Sequence, residues 1–168
     1  KYETPFSISM SAQIKAAAFK SGSVASPAAC LNLSIKLPAS SGSDFVYINK
    51  ADGITITYYR GTDVNVTIPD TIDGKPVVTI GNGAFCTSNL TSIVMPDSVT
   101  SIQSIAFFNC QALESVTLSK NITNIDLSAF SGCTSLKNII LPDSLTSIGN
   151  SAFSRCPNLT SVTLPENL

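Results

Sequence analysis

The stretch Leu136-Lys-Asn-Ile-Ile-Leu-Pro-Asp-Ser-Leu-Thr-Ser-Ile-Gly-Asn-Ser-Ala-Phe-Ser-Arg-Cys156 decides the fold of this chain. Ile139 and Leu141 alternate at the period of a strand with one buried face. Pro142 then stops the strand, because proline has no N–H to give to a ladder. Leu145-Thr-Ser-Ile148 is a second short apolar phrase, and Ala152-Phe153 with Cys156 reads as a turn or one helical turn. The same phrases recur 23 residues apart: Leu90, Leu113, Leu136 and Leu159; Val99, Ile122 and Leu145; Phe107, Phe130 and Phe153; Cys110, Cys133 and Cys156. A fixed period between about 20 and 50 residues marks a solenoid. Each unit is one coil with three sides that cannot bury its apolar face alone, so neighbouring coils must stack. In-register stacking at roughly 4.8 Å predicts a column of rings from Phe85, Phe107, Phe130 and Phe153.

The pattern fades toward the N-terminal side. Asp63-Val-Asn-Val66-Thr-Ile68-Pro-Asp is a recognisable unit, with Asp63 where later units carry leucine. It has an insertion around Asp73-Gly-Lys-Pro76, and its Cys86 follows Phe85 directly instead of three residues on. A polar, irregular first coil suits the cap of a solenoid. Before it, Phe45-Val-Tyr-Ile48 and Ile54-Thr-Ile-Thr-Tyr58 flank Lys50-Ala-Asp-Gly53, which predicts a hairpin covering the end of the stack. Residues 1–40 do not repeat. Phe6, Ile8 and Met10 alternate, as do Leu31, Leu33, Ile35 and Leu37, predicting two strands, with a short helix over Ala12–Lys20 and a linker over Pro38–Gly42. This segment is either extra capping or the remnant of an upstream β domain. The division is thus 1–40 as a non-repeat segment, 41–66 as hairpin and opening coil, and 67–168 as 23-residue repeats.

These phrases resemble the BspA-type leucine-rich repeat, whose units run close to L-x-x-[IV]-x-[IL]-P-x-[SG]-[VL]-x-x-I-x-x-x-A-F-x-x-C. The unit from Leu136 to Cys156 agrees at every one of those positions. The unit at Leu113 departs at Ser119-Lys120 and Asn121, losing the proline, and Ile105 stands where a polar residue is usual. The hairpin with Ile72-Asp-Gly-Lys-Pro-Val77 also looks like this family's N-terminal opening. The resemblance covers about residues 45–168. It implies a β-rich solenoid of the α/β class, with right-handed coils, a parallel β-sheet on one face and an N-terminal β-hairpin cap. It also implies a bacterial protein that is secreted or held at the cell surface, and that adheres to host proteins or other cells. Fold alone does not fix such a function.

Composition narrows the chemistry. Charged residues are 12% of the 168 residues, about half the usual share, so Ser, Thr and Asn must cover much of the surface. A net charge of −1 argues against nucleic acid or an anionic membrane as partner. No apolar run approaches the roughly 20 residues of a membrane span. Histidine is absent, which removes the commonest general base and zinc ligand. Lys1 is not an initiator Met and residues 1–15 carry no continuous apolar stretch, so a mature or trimmed fragment is expected; a natural end and a cut through a longer array are both open at Leu168. No phosphate loop, nucleophile elbow or oriented carboxylate pair is legible, so no enzyme and no cofactor is expected.

The tempting residues have plain readings. Cys86, Cys110, Cys133 and Cys156, one coil apart, read as a ladder of inert buried thiols, although disulfides between coils are conceivable in an exported protein. Asp70, Asp97, Asp143 and Glu166 follow the strand-ending residue, with Lys120 interrupting, and read as turn residues. A calcium site would need several oxygen ligands converging.

What remains is a surface. The outward positions of the main strands are Ser92 and Val94, Ser115 and Thr117, Asn138 and Ile140, Ser161 and Thr163. They form the candidate partner-binding face, on which Val94 and Ile140 are expected as exposed apolar contacts. The expected function is non-catalytic binding of a protein or glycan through this face. The alternatives are a spacer or stalk that displays another domain, and an accessory module of a secreted enzyme.

Overall fold

The computed structural model describes residue 40, residues 42–166 and residue 168. The strands and helix expected within residues 1–37 lie outside the described residues. In chain order the strands are β1 (Phe45–Asn49), β2 (Ile54–Tyr59), β3 (Asn65–Thr67), β4 (Thr71–Ile72), β5 (Lys75–Ile80), β6 (Ser92–Val94), β7 (Ser101–Ile102), β8 (Ser115–Thr117), β9 (Asn124–Ile125), β10 (Asn138–Ile140), β11 (Ser147–Ile148) and β12 (Ser161–Thr163). From β6 onward the strands are short because each is one side of a coil.

The expected hairpin is β1 paired antiparallel with β2. β2 then pairs in parallel with β5, and the same sheet continues through β7, β9 and β11. The cap therefore covers the end of the stack by hydrogen-bonding, through β5, onto the sheet formed by the second apolar phrases of the coils. The insertion at Asp73-Gly74 is a two-residue hairpin between β4 and β5. Asp73 has φ 50° and Gly74 φ 73°, and positive φ at both loop residues is what a type I′ turn requires.

The main strands stack as β3, β6 and β8 in one parallel ladder and β10 with β12 in another. Their register is that of the repeat: Val66 beside Ile93, Ile93 beside Val116, Ile139 beside Val162. Val66, Ile93 and Ile139 are buried with Leu90, Leu113 and Leu136, whereas Val116 is partly covered and Val162, on the last coil, is exposed.

The third side carries the aromatic column. Phe85 and Phe107 have ring centroids 5.0 Å apart, Phe107 and Phe130 4.9 Å, and Phe130 and Phe153 5.5 Å, with interplanar angles of 10° or less. The column is longer than the repeat: Tyr59 of the hairpin stacks on Phe85 at 5.4 Å, and Phe45 packs at its edge. Ala84, Ala106, Ala129 and Ala152 are buried beside the rings, where a larger side chain would have no room.

The turns have a signature that residue type does not announce. The residue two before and the residue two after each phenylalanine have positive φ: Gly83 and Thr87, Ile105 and Asn109, Ser128 and Gly132, Ser151 and Arg155. Left-handed backbone at these points aims every second N–H along the solenoid axis. Gly83, Phe85 and Thr87 accordingly donate to Ser104, Ala106 and Phe108, and Ile105, Phe107 and Asn109 to Leu127, Ala129 and Ser131. Two of the eight positions are glycine, so six L side chains occupy a conformation that ordinarily costs about 1–2 kcal/mol. The stacked rings and axial hydrogen bonds offset that cost.

Candidate functional site

Of the outward strand residues, Ser115, Thr117, Asn138, Ser161 and Thr163 are exposed, and Ile140 is 73% exposed. Ser92 and Val94 are half-buried. Val94, expected as an exposed apolar contact, is flanked on both sides by paired strands at Thr67 and Thr117, and Ser92 donates to Asn65 Oδ1 at 2.7 Å. The face therefore has a closed half around β6 and an open half around β10.

Between these halves the ladder stops. β8 and β10 are neighbours in the repeat but are not hydrogen-bonded as strands. Met95 N–H donates to Thr117 and Glu114 N–H to Thr91. The equivalent donors one coil on, Leu118 and Lys137, make no such bond among the described residues. Val116 and Leu118, inward by pattern, are only partly covered there, whereas Ile93, Met95, Ile139 and Leu141 are buried. This is the unit without the strand-ending proline. Ser119 is buried in its place, with its hydroxyl donating to Asp97 C=O, and Lys120 forms an ion pair with Asp97 at 2.7 Å. The lysine thus relieves an acidic column rather than making a cation site. Among the described residues no group of three His, Cys, Asp or Glu could hold a metal ion.

Many hydroxyls are braces between coils. Thr100 Oγ1 donates to Val78 C=O, Thr123 to Thr100 and Thr146 to Thr123. Ser98 and Ser144 do the same at the next corner, onto Val77 and Ile122. The Ser and Thr content covers surface and also ties the stack together, which leaves fewer of these residues free for recognition.

The thiol ladder is present but shifted. Cys110, Cys133 and Cys156 Sγ donate to the carbonyls of Phe85, Phe107 and Phe130, one coil back. Cys110 and Cys133 are buried and Cys156 half-buried. Cys133 keeps its proton, since its hydrogen bond with Cys110 and its burial both push its pKa up. Cys86 is not in the ladder: Ser88, three residues after Phe85, holds that place and meets Cys110 Sγ at 3.3 Å. No pair of the described cysteines is bridged.

Stacked coils, a parallel strand face and a leucine-led unit define a leucine-rich-repeat solenoid. Residues 64–168 match the BspA type leucine rich repeat region in six copies, and the chain belongs to that family. Three solved structures share the fold. A leucine-rich repeat protein of T. pallidum is 32% identical with a TM-score of 0.64, over 76% of this chain and 72% of that one. A leucine-rich cell surface protein of Faecalibacterium prausnitzii is 34% identical with a TM-score of 0.68, over 74% of this chain. This chain spans 32% of the length of that protein. A leucine-rich repeat protein of Bacteroides capillosus is 31% identical with a TM-score of 0.61, over 74% of this chain and 95% of that one. No curated protein matches the chain. No helix among the described residues is long and apolar enough to cross a membrane.

Proposed function

We propose that the chain is a non-catalytic interaction module at the bacterial cell surface, binding a protein or glycan partner through the open half of its strand face, with adhesion as the outcome. The observation that supports this most is Ile140. It is 73% exposed on a face otherwise covered by hydroxyls and an amide, one coil from Thr117 and Thr163. It lies beside the ladder break where Val116 and Leu118 are only partly covered. An apolar anchor rimmed by small polar groups suits recognition better than solubility. The family's occurrence in a protein described as a cell surface protein supports the location.

The test is binding of the whole chain to a panel of immobilised extracellular-matrix proteins and glycans, repeated with Ile140→Asp and with Ile140→Asp combined with Thr117→Arg. Any partner detected should lose at least tenfold in affinity with the double variant. If every detected partner binds the double variant unchanged, the strand face is not the site.

A further inference from the structure

The inter-coil hydrogen bonds run out on one side of the first coil. Tyr59 N–H donates to Ala84 C=O, in the register with which Phe85 donates to Ala106 and Phe107 to Ala129. Tyr59 therefore stands for the phenylalanine of a preceding coil. The register is then abandoned: Arg60 N–H turns to Asp44 C=O, and the chain crosses through Gly61-Thr-Asp63 to β3. In later coils the carbonyls of Phe108 and Ser131 accept N–H groups from Thr87 and Asn109 of the coil before. The corresponding carbonyl here, Cys86, accepts the hydroxyl of its own neighbour Thr87 instead. Ser88 likewise turns forward to Cys110, where the later thiols reach back to a phenylalanine carbonyl.

The space left by the missing register is a cavity of about 380 Å³ between the crossing segment and the turn at Phe85–Asn89, within the roughly 300–1,000 Å³ of small-molecule sites. Its shape is built in. A Cβ at Gly61 would fall 2.4 Å from the Tyr59 hydroxyl, so only glycine lets the crossing lie against that ring, and the same hydroxyl donates to Asp63 C=O at 3.2 Å. One wall is Tyr58, 56% exposed, with Val64, 43% exposed. The rim holds Thr62, Asp63 and Asn89. Neither lysine nor arginine lines the cavity, which disfavours an anionic ligand. A compact cation would pair with Asp63 but leave Thr62 and Asn89, which both donate and accept, outside the recognition. The thiol of Cys86 in the wall is held protonated by burial, which disfavours thiolate chemistry.

We propose that this cavity binds a neutral sugar residue of a glycan, with an apolar face of the ring against Tyr58 and its hydroxyls on Asp63 and Asn89. A neutral polyol both donates and accepts, as the rim does, and an amphipathic tyrosine suits a ligand with one apolar and one polar face. The site is separate from the strand face around Ile140. The test is a titration of the whole chain, followed through its backbone amide resonances, with methyl glucoside, methyl galactoside and N-acetylglucosamine, and in parallel with choline and glucuronate. At least one neutral sugar should shift the amides of residues 60–64 and 86–89 saturably. Tyr58→Ala and Asp63→Asn, both at exposed positions, should each weaken that binding at least tenfold with the melting temperature unchanged. Ile140→Asp should leave it intact, which separates this site from the strand face. The proposal is overturned if no neutral sugar perturbs these amides up to about 50 mM, a range that covers weak millimolar binding. It is equally overturned if choline or glucuronate binds there and the neutral sugars do not, or if both variants keep full affinity.

Discussion

The turn side and the strand side of each coil are built from the same repeat but behave differently. On the turn side the rings stack without a gap from Tyr59 of the hairpin to Phe153, and from Gly83 onward axial hydrogen bonds, joined by thiols from Cys110, tie each coil to the next. On the strand side the ladder stops between β8 and β10, the inward Val116 and Leu118 are only partly covered, and Ile140 stands in solvent. Cohesion thus lies on the turn side, and the strand side is free to vary. A solenoid can tolerate a break in one ladder because the other sides hold adjacent coils in register.

Substitutions can break or sharpen that contrast. The largest effect should come from the turn side: Phe107→Ala removes a ring stacked on both neighbours, and denaturant unfolding should show a loss of about 3–5 kcal/mol. A loss below about 1 kcal/mol would mean that the column does not hold the coils. A gain is available in the shared sheet. Thr55 is 3% exposed and its hydroxyl has no partner, so Thr55→Val should stabilise by about 1 kcal/mol, read as a rise in melting temperature. A smaller gain tests the left-handed turns. Ser151 is exposed with φ 58°, and Ser151→Gly should add about 0.5–1 kcal/mol; an unchanged or lower stability would show that the turn carries no strain. The smallest effect belongs to the strand face, where Ile140→Asp should shift stability by less than about 0.5 kcal/mol. A larger loss would make Ile140 part of the core and remove it as a recognition residue.

The solenoid was legible because three apolar phrases recur together at 23 residues, and the hairpin because Gly53 separates two alternating runs. Three features were not. Positive φ at Ile105, Ser128 and Ser151 has no compositional signal, since axial hydrogen bonds impose it on residues that are neither glycine nor asparagine. Tyr59 as the opening ring of the column, and Ser88 in the place of cysteine, emerge only when neighbouring coils are laid on one another. The half-burial of Val94 depends on whether strands on both sides close up, which alternation within one strand cannot report. The candidate face was thus readable as a set of positions, but its open half was not.

Native-state hydrogen exchange tests the contrast most directly. The Phe107 and Phe130 amides, which donate along the axis to Ala129 and Ala152, should exchange only through global unfolding. The Leu118 and Lys137 amides should exchange orders of magnitude faster, and faster than their counterparts Met95 and Glu114. Equal protection of all six amides would show the strand ladder to be closed and would contradict the division of labour between the two sides.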